Sequence, residues 1–177
     1  MSTTERIGLA LAATVGRRYT DTPVERLPDA DALAAWLTAH GLNVADCTER
    51  DLTRARELRE AIYDLVEASA MHRPPRASAL ATVDAAGRSI PHRKLLWDNR
   101  KAFHLADDSV TVADTLAAIA RDTVDLLTGP DRGHLHQCEA DTCGTVFIAS
   151  PGGRPRRWCS SATCGNRERV RAFRATR

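Results

Sequence analysis

Four cysteines in the last quarter of this 177-residue chain, Cys138, Cys143, Cys159 and Cys164, form two pairs, with four residues inside each pair and fifteen between them. Thiolates supplied in pairs by two separate knuckles can close a tetrahedral shell around one zinc ion, with Zn–S bonds of about 2.3 Å. Such a shell has no open position, so the zinc would hold structure and would not activate water. A redox pair or disulfides are the competing reading. An odd total of five cysteines, four of them crowded together, speaks for metal over a disulfide framework. His134 and His136 precede the first pair at strand spacing, as ligands or as donors to ligands. Because four thiols already complete the shell, exposed strand positions are the better reading for both. Cys47 stands alone and reads as a buried or incidental thiol.

Arginines surround the same cysteines. Residues 138–177 hold eight arginines against three acids, a net charge of +5, which leaves −3 on the rest of a chain whose total is +2. Arginine is preferred over lysine everywhere (Lys94 and Lys101 are the only lysines), so the informative feature is the scarcity of acids in the tail. A near-neutral body with a basic tail suggests an anionic partner, and nucleic acid is the commonest. The candidates are Arg154, Arg156 and Arg157 in a loop, and Asn166, Arg167, Arg171 and Arg174 on a final helix. Phosphate contacts from these guanidinium groups would be salt-sensitive and carry little sequence information. Asn166, Arg167 and Arg171 are the candidates for base readout. The alternative is a solvated basic face whose arginine stems cover a small core. Trp158, next to Cys159, is expected to pack over the metal site and not on a base.

The elements that must position these groups follow from periodicity. Residues 5–18 read as a helix, with Ile7, Leu11 and Val15 four apart. In the next helix Asp29 or Asp31 caps, Leu33, Trp36 and Leu37 share a face, and Gly41 is the stop. An amphipathic helix of about five turns carries Leu52, Ala55, Leu58, Ile62, Leu65 and Val66. Pro74 and Pro75 break the chain, after which two short runs around Asp98-Asn99 suggest a hairpin with Leu95, Trp97, Phe103 and Leu105 on it. A helix over about 111–128 ends at Gly129-Pro130. Two short strands flank the first cysteine pair, and a last helix starts near Ser161, capped by Ser160 or Ser161, with Val170 and Phe173 facing inward. The fold class is therefore α+β: a helical body with a small antiparallel sheet over 1–132, and a four-cysteine zinc module ending in a basic helix over 133–177. A module of about forty residues with few large apolar groups needs such a staple, so folding and metal binding should be coupled.

Composition excludes several classes. With 43% hydrophobic and 27% charged residues the chain reads as soluble and globular, and its longest apolar run, Ile7 to Gly16, is far short of a membrane span. Glu5 offsets Arg6 ahead of that run, unlike a signal peptide, so a cytoplasmic protein is expected. No enzyme is expected: His40, His72, His92 and His104 are scattered, and there is neither a nucleophile motif nor a glycine-rich phosphate loop.

The run from Arg156 to Phe173, with Cys164, Gly165, Asn166 and Arg167 inside it, together with Cys138, Cys143 and the Gly144–Phe147 strand start, resembles the CGNR zinc finger over about the last forty residues. The preceding part resembles the ABATE domain, described for stress-induced transcription regulators, through Leu33 to Leu42 and Leu58 to Leu65. Where that family often reads LDLVNT the chain has LALAAT, and Ala149-Ser150 stand where the finger commonly has an aspartate. The resemblance implies zinc binding and DNA binding in transcriptional control. The body would then bind a small-molecule ligand, form a homodimer, or both, since one small finger alone binds weakly. A zinc-stapled RNA- or protein-interaction module is the alternative from a different class.

Overall fold

A 22-residue helix, α3 (Glu49–Ala70), is the hub against which most other elements pack. The computed structural model describes residues 6–88, 95–97, 103–105, 110–150 and 156–176. Around α3 lie α1 (Ile7–Ala12), α2 (Ala30–Ala39), α4 (Ala77–Gly87) and α5 (Val112–Thr128). The stripe expected on α3 is the buried one, from Leu52 through Leu58, Ile62 and Val66. Its start is fixed by a capping box, in which Thr48 accepts from the Asp51 N–H and Asp51 accepts from the Thr48 N–H; Thr111 and Asp114 repeat the device at α5. Asp29 caps α2 by accepting from the Ala32 N–H at 2.8 Å, and Gly41, at φ 74°, ends it as read.

Among the described residues, strands occur as three separate two-stranded antiparallel ladders: β1 (Val15–Gly16) with β2 (Val24–Glu25), β3 (Leu95–Trp97) with β4 (Phe103–Leu105), and β5 (Leu135–Gln137) with β6 (Val146–Ile148). The expected hairpin is the β3–β4 ladder, registered Leu95 to Leu105 and Trp97 to Phe103, while its Asp98-Asn99 turn lies outside the described residues.

Three expectations need correction. The first helix stops at Ala12, because Thr14 turns its hydroxyl onto the Leu11 carbonyl at 2.7 Å and the chain then enters β1. After the prolines, where the sequence marks only a break ahead of the hairpin, the chain forms α4. Buried Asp64 of α3 supplies the start that α4 lacks, accepting from the Arg76 N–H at 2.9 Å and from Arg76 Nε at 3.0 Å. Third, the last helix, α6 (Asn166–Ala175), buries none of its residues: Val170 is 42% and Phe173 60% exposed. Its principal packing is with the turn that precedes it, and both side chains keep much of their surface in solvent.

Among the described residues, no helix is long and apolar enough to cross a membrane.

Candidate metal centre

Ladder β5–β6 separates two cores by simple alternation. Leu135 and Val146 point into the main core with Leu58 and Ile62, whereas Phe147 points the other way, into a small cluster with Cys138, Cys143, Cys164, Ala140 and Ala149. Each knuckle is a turn that carries its cysteines inward. In the first, the Cys143 N–H donates to the Ala140 carbonyl at 2.8 Å and Gly144 follows at φ 74°. In the second, Ser160 caps the turn by accepting from the Thr163 N–H, and Ser161–Gly165 form one π-helical turn closed by the Gly165 N–H on the Ser160 carbonyl at 2.9 Å. That widened turn, where a continuous α-helix was expected, brings Cys164 to the other sulfurs before α6 begins. Gly165 leaves room for the indole, since a Cβ would lie 3.1 Å from Cε3 of Trp158 and the ring would have to give way.

The four sulfurs all lie within 4.8 Å of one another, with Cys143 to Cys159 and Cys159 to Cys164 both 3.7 Å. Zinc–sulfur bonds of 2.3 Å in a tetrahedron require sulfurs about 3.8 Å apart, so the cage fits the metal. The chemistry agrees. Hydrogen bonding from Cys159, then from Thr145, draws the Cys143 thiol well below the usual range against its burial. That thiolate in turn drives Cys159 upward, and burial followed by Cys143 does the same to Cys164. Four thiols this close cannot all ionise without a cation, and a divalent ion removes the conflict. One structural zinc is held by Cys138, Cys143, Cys159 and Cys164, and it supplies cross-linking with no open coordination position.

His134 and His136 stay outside this cage; His136 lies 6.3 Å from Phe147, ring to ring. Cys47 packs against the main core, and its burial pushes its thiol up. Trp158 packs over the cysteine cluster, as expected.

The arginine candidates divide by partner. Arg167 donates to Cys164 Sγ at 3.3 Å, placing a cation against a centre whose four thiolates outweigh the zinc charge. Arg156 stacks over Phe147 of β6 at 4.6 Å. Arg157 donates to Glu139 at 2.5 Å and lies over Trp158 at 4.9 Å. Arg171 pairs with Asp141 and, at 2.8 Å, with Glu168. Asn166 and Arg174 are exposed on α6, and Arg154 lies outside the described residues. Arg169, not among the candidates, reaches the Ser161 carbonyl at 3.4 Å and lies near Trp158 through Gly165.

A polar junction that the sequence reading missed ties this centre to the body. Gln137 donates to the Tyr19 hydroxyl and, at 3.2 Å, to Glu67. Glu67 also accepts from Tyr19 at 2.7 Å, from Tyr63 at 3.1 Å and from Arg73. Arg18 stacks over the Tyr63 ring at 3.8 Å. Tyr63 and Glu67, four apart on α3, were the available signal, since i,i+4 polar pairs share a helix face.

A family model for ABATE, "Putative stress-induced transcription regulator", matches residues 5–130, and one for the CGNR zinc finger matches residues 134–177. No curated protein matches the chain.

Proposed function

The chain belongs to the ABATE family and ends in a CGNR zinc finger, and on that premise we propose that it is a transcriptional regulator that binds DNA, not an enzyme. One observation carries the reading: one face of the finger is committed to the body through Leu135, Val146 and Gln137, while the other presents an exposed, arginine-rich helix, α6, with Arg157 across a groove from it. Zinc fixes the π-helical turn, and that turn aims α6. Arg157, Arg169, Arg171 and Arg174 then supply phosphate contacts, with Asn166 at the exposed start of the helix. Arg156 and Arg167 support the finger itself. The body is the part that senses a ligand or joins two copies.

A second reading, contact with another protein, is favoured by Val170 and Phe173, which α6 exposes three residues apart on its solvent side. Titrating the zinc-loaded chain into random duplex DNA across a salt series, with RNA as competitor, separates the two. Three or four phosphate contacts give a log–log salt slope of about −3, and Arg169→Ala/Arg174→Ala flattens it by about two. Absence of binding at low salt, or a slope that the double variant leaves unchanged, overturns the DNA reading. Preferential capture by RNA reassigns the partner.

A further inference from the structure

Residues 138–177 contain three acids, Glu139, Asp141 and Glu168, and all three line one groove of about 570 Å³ between the first zinc knuckle and α6. Arg157, Arg169 and Arg171 line the same groove. The acids are therefore not scattered over the basic module but placed where its cations converge. Arg157 Nε donates to Glu139, and Arg171 is shared between Asp141 and Glu168.

We infer that Glu139 and Asp141 occupy the phosphate seats of this groove, so that a nucleic-acid backbone binds by displacing them from Arg157 and Arg171. The inference rests on the nucleic-acid reading above. Carboxylate and phosphate oxygens offer a guanidinium fork the same kind of acceptor, so one can replace the other without moving the arginine. Exposure makes the exchange inexpensive: the side chains of Glu139, Asp141, Arg157 and Arg171 are all more than half exposed, and such pairs are weak and screened by salt. Glu168 is different, with its side chain 15% exposed; it stays with Arg171 and keeps that guanidinium turned into the groove after Asp141 leaves. The two exchangeable acids sit on the knuckle, whereas the acid that remains sits on α6 with the arginine it orients. The acids thus raise the threshold for binding and favour a partner with regularly spaced phosphates, which can replace both at once.

The test is a double-mutant cycle on the full, zinc-loaded chain with a labelled random duplex of about 20 base pairs across a salt series. Asp141→Asn should bind up to about fivefold more tightly than the parent protein, with a salt slope steeper by about one, because Arg171 then meets phosphate without releasing a carboxylate that takes up a cation. The gain should vanish in Asp141→Asn/Arg171→Ala relative to Arg171→Ala. Asp84→Asn, the same charge change on α4, should leave affinity nearly unaltered. A gain that persists without Arg171, or no gain in a variant with parental zinc content and melting temperature, overturns the inference. Should Asp141→Asn lose zinc, Glu139→Gln and Arg157→Ala form the deciding cycle. If neither the parent nor the Asn and Gln variants bind nucleic acid at low salt, the nucleic-acid reading fails. If the parent binds and the cycles show no coupling, the displacement idea alone fails.

Discussion

The backbone N–H of Arg18 donates to the carbonyl oxygen of Cys143 at 3.2 Å, so the segment that follows β1 is fastened directly to a zinc ligand. Tyr19, the next residue, continues the attachment through Gln137 and Glu67. The finger and the helical body therefore share both a core and a polar junction.

Removing the metal should weaken the body as well as the finger. Cys159→Ser or Cys164→Ser loses zinc, and the melting midpoint of the whole chain falls, as it does for the parent protein treated with a strong chelator. Leu135→Ala, which removes a buried side chain shared with α3 residues, costs about 2–5 kcal/mol without touching a ligand. An unchanged body transition in the zinc-free chain would show that the contact is not energetically coupled.

Arg167→Ala should accelerate zinc transfer to a chromogenic chelator and lower zinc affinity by about 10–100-fold, the usual consequence of losing a donor to a metal ligand. Arg174→Ala, about two turns further along α6 and with no partner among the described residues, should leave the rate alone. Equal rates in the two variants would return Arg167 to the nucleic-acid surface.

Gly144→Ala should destabilise by about 1–2 kcal/mol from its left-handed backbone alone. The new Cβ also meets Arg18 Cβ at 3.0 Å and the Tyr19 ring at 3.3 Å. Gly133→Ala, with open space at the same atom, is the control, and thermal melts of both check the difference.

Glu67 provides a pH signature. Burial raises its pKa, but hydrogen bonds from Tyr19, Arg73 and Tyr63 outweigh this and leave it below the ordinary carboxylate value of 4.5. A depressed folded pKa means that the stabilisation is fully present above the unfolded value and disappears as pH falls through the folded one. The melting-temperature difference between the parent and Glu67→Gln should thus be constant near neutrality and close only below about pH 4.5. A difference that does not vary with pH would place the effect in packing.

What the sequence could reveal depended on how local the physics was. The start of α5 at Thr111 and its end at Gly129-Pro130 are local cap and break chemistry, and they were legible to within a residue. The zinc cage was legible because four identical ligands at fixed spacing leave few other arrangements. Helix α4 was not, since only Ala79 and Val83 mark its buried face and its start depends on Asp64 of another helix. Nor was the role of Arg167: a guanidinium has the same letter whether it faces a thiolate or a phosphate, and only its neighbours distinguish them. The inward orientation expected for Val170 and Phe173 failed for the opposite reason. Helical periodicity says which side chains share a face but not how deeply that face is buried.

Helix α1 has its own distant attachments. Arg6 reaches Asp122 and Asp131, and Gly8 N–H reaches Asp122, across 114–125 residues of chain. At about 5–20 residues per second, the ribosome delivers those partners roughly 6–25 s after α1 has been made. For that interval the apolar side of α1, including Leu11, lacks the partners that α5 will provide, and Arg18 waits for Cys143 across as long a stretch as Arg6 does for Asp131. Closure of the N-terminal segment is consequently a late event in the life of the nascent chain, timed by synthesis of the finger, and the unfinished protein is the form that most needs shielding from aggregation.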